Sequence, residues 1–447
     1  MHTILWLDRR PVDHVAYARG QMATSLVFHI VFAAIGIALP LALFVVDGLF
    51  ILTSRREYRR LSNQWSRATA LLFAIGAISG TALSFELGLL WPRYTKIMGP
   101  AVGHAFALEG FAFFIEAIFI GLYLYGRRRM SRLSHWLCAD VIAISGLASG
   151  ALVLAVNAWM QIPVGFTLGP NDTVTSTNPS QIFGTYAWWT MSIHSTLSCY
   201  AAIPFAMAGI YALGRLKGRR DAYTRAAIVI SMMIGGVAAI LQPLSGDALA
   251  KFVWRTQPAK FAAMEGQFKT MRRAPLHIGG FPDMEARTSR FAIEIPGGLS
   301  FLADHDFNAR VIGLDDIPRD RWPNVPIVHF AFDIMVGCGT LMMLAAACFW
   351  FVSWRRGRDA LSRRRLLWML VLVSPMGIIA LEAGWFVTEV GRQPWAIQGV
   401  LLTEDAAARS DALPAFFYGF GALYVALAIL VIVLLRKLAR RRVKGGY

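Results

Sequence analysis

Lysine and arginine are absent from nine stretches of about twenty residues or more, although the chain of 447 residues carries 44 of them. A soluble domain has no reason to clear such runs. A bilayer core does, because a charged side chain at its centre costs roughly 2.5–3.5 kcal/mol on insertion scales. Charge is scarce overall, at 16%, against 56% hydrophobic residues, more apolar surface than a soluble core needs. Cysteine is scarce too. Cys138, Cys199, Cys338 and Cys348 all fall inside apolar runs, with the spacing of neither a metal site nor a disulfide framework, and are expected to act as small hydrophobes. Internal repeats are missing, and with them the signature of an inverted-repeat transporter. Low-complexity tracts are also missing apart from a basic C-terminal tail.

What remains is an all-α, polytopic membrane bundle of about nine transmembrane helices with one long outer loop. The spans are expected at 21–52, 68–90, 103–126, 135–156, 184–213, 226–244, 326–353, 367–388 and 414–435. The first is too long for a signal-peptide core and is read as retained. The connecting segments 53–67, 127–134, 214–225, 354–366 and 436–447 hold 26 of the 44 basic residues and alternate with segments that are basic-poor, apart from the long segment 245–325 with 11, a length that the positive-inside rule exempts. By the positive-inside rule they face the cytoplasm, which puts the N-terminus outside and the C-terminus inside. The formal charge of +17 therefore points to lipid headgroups and not to nucleic acid. Three regions follow: residues 1–244 with six helices, the outer loop 245–325, and residues 326–447 with three helices and the basic tail. The loop is polar and broken by Pro258, Pro275, Pro282, Pro296 and Pro318, so short helices lying on the outer surface are expected there instead of an independent core.

Ionisable groups inside the spans mark function by default. His194 and Met335 each lie about ten residues from the outer end of their span, roughly 14 Å deep at 1.5 Å per residue. One haem iron can take both, and His/Met ligation suits a low-spin, electron-transferring haem with no open position. His29, Glu109 and Glu382 occupy similar outer-half depths. A single His or carboxylate ligand keeps a position open on iron, which oxygen binding requires. Glu116 follows Glu109 by seven residues, nearly the same helix face, and two carboxyl groups on one stripe can relay protons. The bland alternative for each is a hydrogen bond that ties helices together. Asp47 and Asp140 lie near inner span ends where solvation is easy, Glu86 is a weaker candidate, and Asp333 stands close to Met335. Just beyond the eighth span, Gly391-Arg-Gln-Pro-Trp395 combines an Arg able to fork onto a carboxylate or propionate with an interfacial Trp. Lys260 and Glu265 in the outer loop are a possible polar pair for a small ligand's oxygens.

The run Glu382-Ala-Gly-Trp-Phe-Val-Thr-Glu-Val-Gly-Arg-Gln-Pro-Trp395 closely resembles a signature of subunit I of the cytochrome bd quinol oxidases. Further landmarks recur in order: Arg19 with His29, the paired-glutamate helix Leu108-Glu-Gly-Phe-Ala-Phe-Phe-Ile-Glu116, Asn157-Ala-Trp-Met-Gln161, His194, Lys260 with Glu265, and Phe330-Ala-Phe-Asp-Ile-Met335. The resemblance spans roughly residues 15–440. It implies a subunit of the bacterial inner membrane that oxidises ubiquinol or menaquinol at the outer face. Dioxygen is reduced to water with protons from the cytoplasm and without pumping. It also implies that His194 and Met335 ligate a low-spin haem b. His29 and Glu382 would each ligate a high-spin haem, one haem b and the other haem d or a third haem b. Glu109 would stand beside the oxygen-reducing haem and Glu116 on the proton route. Lys260 and Glu265 would serve quinol, and Arg392, Arg19 and Trp395 the bound haems. Partners would be a membrane subunit II and a small single-span subunit. An alternative is a haem b subunit that passes electrons on without reducing oxygen. The chain departs from the pattern in three places. Its two glutamates are seven apart where some members have eight, Asp333 stands where better-known members have Arg, and the outer loop is of the short type.

Overall fold

In the computed structural model, residues 13–444 are described, with side chains to Leu438. Nine helical segments among them are long and apolar enough to cross a membrane. They comprise α1 (His14–Thr53), α2 (Arg56–Leu90), α3 (Pro92–Gly126), α4 (Arg132–Gln161), α5 (Tyr186–Leu216) and α6 (Ala222–Thr256). After the outer loop with α7 (Pro258–Met264) and α8 (Gly298–Asp304) come α9 (Val325–Arg356), α10 (Arg364–Val373) with α11 (Met376–Val390) as one span, the short α12 (Thr403–Ala406), and α13 (Leu413–Lys444). Each expected span is present. Most helices run past the apolar stretch, because backbone pairing continues into the headgroup layer. Most of the basic tail lies beyond the described side chains, and the outermost N-terminal residues, up to 12, lie outside the description.

α6 persists to Thr256, so the loop begins at Gln257. A short antiparallel pair, β1 (Phe166–Leu168) with β2 (Val174–Thr177), lies between α4 and α5, and the long loop carries strands as well as helices. β3 (Met271–Arg272) pairs with β8 (Arg310–Val311), β4 (Leu276–Ile278) with β7 (Ile293–Ile295), and β5 (Phe281–Asp283) with β6 (Thr288–Arg290), all antiparallel. Two- and three-residue strands cannot bury a face of their own. The loop's buried side chains, among them Phe261, Phe268, Leu299 and Leu314, instead join the core formed by the outer helix ends.

Helices pair as α1 on α2, α3 on α4, α5 on α6 and α9 on α11. The buried contacts are rich in alanine, as expected where close approach of backbones holds helices together in lipid. The two largest clusters of buried apolar side chains occupy opposite depths. The one on the side of the long loop includes Trp91, Tyr94, Trp159, Phe252 and Val387, and the one at the opposite end Trp65, Ile142, Phe205, Met232 and Leu370. On α1 to α6, on α9 and on the α10–α11 span, a mid-depth segment separates them. His29, Glu109, Glu116, His194, Met335 and Glu382 all fall in that belt.

Candidate functional site

Two histidines in the belt are held by the same device. His194 Nδ1 lies 3.0 Å from Ser245 Oγ, whose own proton goes to Gln242 O at 2.9 Å. His29 Nδ1 lies 2.9 Å from Ser79 Oγ, which donates to Gly76 O at 3.1 Å. A hydroxyl has one proton to give, so each serine must accept from Nδ1–H. That sets the tautomer and leaves each Nε2 as a lone-pair donor, the form a metal ligand takes. The Gln242 side-chain amide stands over the same ring, 3.2 Å from His194 Nε2 and 3.4 Å from Nδ1, and donates to the His194 carbonyl at 3.2 Å. His135 and His329 differ. Both ring nitrogens of each face oxygen, His135 against Tyr123 O and Asp47, His329 against Met264 O, Gly279 O and Asp333.

Small residues let these side chains stand between helices. A Cβ on Gly80 would come within 2.9 Å of His29 Cε1, and one on Gly384 within 3.0 Å of Met335 Sδ. Glu116 is buried and lies under Gly146 of α4, whose Cβ would sit 3.4 Å from Glu116 Oε1. Glu109, one stripe position outward, accepts from Ser149 Oγ of the same helix at 2.9 Å. The seven-residue spacing thus aims both carboxyl groups at α4. Both carboxyl oxygens of Glu382, and Oε1 of Glu116, are buried without a hydrogen-bond partner among the described residues.

On the side of the long loop a chain of polar contacts crosses three elements. Lys260 Nζ on α7 donates to Gln161 Oε1 at 2.6 Å, Gln161 Nε2 reaches Asn157 Oδ1 at 3.5 Å, and Asn157 Nδ2 donates to Glu389 Oε1 at 2.5 Å. Glu389 Oε2 also takes a short ion pair from Arg392 Nη2, while Arg392 Nε and Nη1 are buried with no protein partner described. Lys260 and Glu265, 4% and 5% exposed, are buried instead of lying on a solvated loop face, and they do not pair with each other. Glu265 faces Asp333. Burial, with the charge of Arg392 second, pulls Lys260 down to about 7. Burial, with Asp333 second, pushes Glu265 up to about 8. One turn before Lys260, the Gln257 amide is buried with both polar atoms unpartnered.

The remaining expected residues fall elsewhere. Arg19 is exposed on α1, and Trp395 lies 4.6 Å beneath the Arg321 guanidinium. Asp47 is not the easily solvated group its position suggested. It is buried, accepts from Tyr123 at 2.6 Å and contacts His135 at 3.0 Å, because the helices extend past the apolar run and close over it. Glu86 is tied to α1 and α13 by Gln21, Ser25 and Tyr424. The four cysteines are free thiols.

Residues 17–443 match the family model described as cytochrome bd terminal oxidase subunit I. The chain belongs to that family. It is 32% identical over 95% of its length, and 96% of the other, to a Bacillus subtilis (strain 168) protein provisionally named cytochrome bd menaquinol oxidase subunit I. It is 27% identical to the cytochrome bd-II ubiquinol oxidase subunit 1 of Escherichia coli (strain K12), covering 96% of each chain. Among solved structures it superposes on the bd oxidase of Geobacillus thermodenitrificans with a TM-score of 0.91 and 34% identity, covering 96% of this chain and 99% of the other. The protein is thus a bacterial multi-pass membrane subunit of a haem-containing terminal oxidase. The alternatives of a pure electron-transfer subunit and of a transporter fall away. The residues fit the haems that a cytochrome bd subunit implies. Two imidazoles present Nε2, Glu382 presents two uncommitted oxygens, Arg392 keeps two uncommitted donors, and all the ligand candidates lie between the two apolar cores.

Sequence reasoning passed over Ser79, Ser245, Gln242, Gln257 and Glu389. Glu389 had a readable signal, since it stands three residues before Arg392 on one helix face. The serines had none, because each meets its histidine across a helix pair.

Proposed function

We propose that, within the quinol oxidase to which this subunit belongs, the work divides by depth. His194 Nε2 and Met335 Sδ hold the low-spin haem b. His29 and Glu382 each hold one high-spin haem, a haem b and either haem d or a third haem b, with Arg392 toward a propionate. When bound, the haems carry single electrons and bind dioxygen where one protein ligand leaves iron a free position. The observation that carries this reading is the shared serine device, which prepares His29 and His194, and neither His135 nor His329, as neutral Nε2 ligands.

Quinol oxidation falls to the outer cluster. Lys260 and the Gln257 amide supply donors for a quinol oxygen. Glu265, poised at about 8, accepts a hydroxyl proton as electrons leave, since a base works best with a pKa near the operating pH. Protons for oxygen reduction come from the opposite side through Glu116 to Glu109, both aimed at α4. Basic residues between the inner helix ends orient the subunit with its quinol loop outward. The family implies a membrane subunit II beside this chain, with quinol and oxygen as substrates. A small single-span subunit and either ubiquinol or menaquinol complete our reading. A reduced-minus-oxidised optical spectrum of the purified oxidase tests it. His194→Ala should lose the low-spin haem bands and keep the high-spin ones, and an intact low-spin spectrum would refute the assignment.

A further inference from the structure

Three successive backbone carbonyls at the end of α7 each accept a side-chain hydrogen bond from a different element. Met264 O lies 2.8 Å from His329 Nδ1 of α9, Glu265 O 3.0 Å from His277 Nδ1 of β4, and Gly266 O 3.0 Å from Ser289 Oγ of β6. Carbonyls at a helix C-terminus have no partner within the helix, and a short terminal turn would ordinarily give them to water. Here all three point into protein. Gly266 makes this possible. Its φ of +60° turns the chain, and any Cβ there would run into the Ser289 hydroxyl.

The clamp has two anchors of different character. His277 and Ser289 belong to the loop's own hairpins. His329 is fully buried on a membrane helix, six residues before Met335. The residue at the centre of the turn is Glu265, whose carboxyl group receives no hydrogen bond from any described residue and faces Asp333. Its direction is therefore set by the backbone it hangs from.

We propose that His329, seconded by His277 and Ser289, is a positioning residue of the quinol site: by holding the carbonyls on either side of and at Glu265 it aims that carboxyl group and fixes the quinol turn to the helix that carries Met335. The inference rests on the reading of Glu265 as a quinol-contacting group. Both histidines use Nδ1, so asparagine, whose amide nitrogen occupies nearly the same place relative to Cβ, retains the donor, whereas leucine removes it and glutamine displaces it.

The experiment uses the complete purified oxidase with short-chain ubiquinol and menaquinol as probes, measuring KM, kcat and the optical spectrum. His329→Leu should raise quinol KM about tenfold, near the upper end of what one buried hydrogen bond contributes, with kcat within about twofold and the haem bands unchanged. His329→Asn should return KM to within about threefold of the parent. An unchanged KM in His329→Leu, or an Asn variant no better than Leu, would overturn the proposal. If His329→Leu does not assemble, His277→Leu and Ser289→Ala decide from the loop side. A raised KM in each supports the clamp, and an unchanged KM in both overturns it. Glu265→Gln separates the two levels. If it lowers kcat/KM for quinol and the clamp variants do not, the clamp alone fails. If it leaves kcat/KM for quinol untouched, the quinol reading fails with it.

Discussion

Ser245 Oγ and His194 Nδ1 stand 3.0 Å apart with the direction of their hydrogen bond decided by a third group, Gln242 O, which already takes the serine's only proton. Removing the hydroxyl by Ser245→Ala frees the imidazole to rotate and to change tautomer. The low-spin haem should remain, with a shifted midpoint potential and turnover lowered about tenfold or more, the usual cost of losing an outer partner of a metal ligand. Ser245→Thr keeps the hydroxyl and should restore both. Redox titration of the low-spin band checks this, and an unmoved potential in the alanine variant would count against His194 as a ligand.

Gly80→Ala places a methyl group 2.9 Å from His29 Cε1, closer than any real Cβ contact, while Gly88 on the same helix has nothing within 4 Å. Gly80→Ala should therefore reduce high-spin haem content and oxygen consumption together, by about tenfold if His29 is displaced from the metal. Gly88→Ala should leave both unchanged. Pigment analysis beside an oxygen electrode reads the two quantities. Normal high-spin content in Gly80→Ala would show that His29 is not a ligand.

Glu265 titrates near 8. Below that pH it is protonated and above it ionised, and only the ionised form takes a proton from quinol. kcat/KM for quinol should accordingly rise with pH toward an inflection near 8, and Glu265→Gln should flatten that limb. Lys260, down near 7, keeps N–H donors in both protonation states. Lys260→Met should raise KM without moving the inflection. A parent profile flat between pH 6 and about 9 would dismiss Glu265 as the base.

Glu116→Gln preserves size and most hydrogen bonding but cannot relay a proton. Turnover should fall about tenfold or more while quinol KM stays within a few-fold, the pattern of a lost transition-state step. Turnover at the parent rate would return Glu116 to the role of a neutral acid tying α3 to α4.

Much of this was readable in the amino-acid order. Runs cleared of lysine and arginine announced all nine membrane helices, since lipid penalises charge wherever it occurs, and depth counting put His194 and Met335 at one level. Tertiary relations were not readable. The burial of Asp47 depends on the ends of α3 and α4 closing over it, and the separation of Lys260 from Glu265 depends on Gln161 and Asp333 arriving from distant elements. Nor was the length of α6 readable, since the helix continues past residue 244 through polar residues whose environment is the packed loop.

The unbroken course of α6 from Ser245 to Thr256 acts as a ruler. It fixes Ser245, beside His194, and the start of the proposed quinol site on one helical axis, about 17 Å apart at the rise of an α-helix. A single inserted residue within that stretch would rotate everything beyond it by about 100°, turning Lys260 away from Gln161. Residues added at the tip of the β5–β6 hairpin would leave the ruler untouched. Length variation among relatives should therefore accumulate in that hairpin and be excluded from the end of α6.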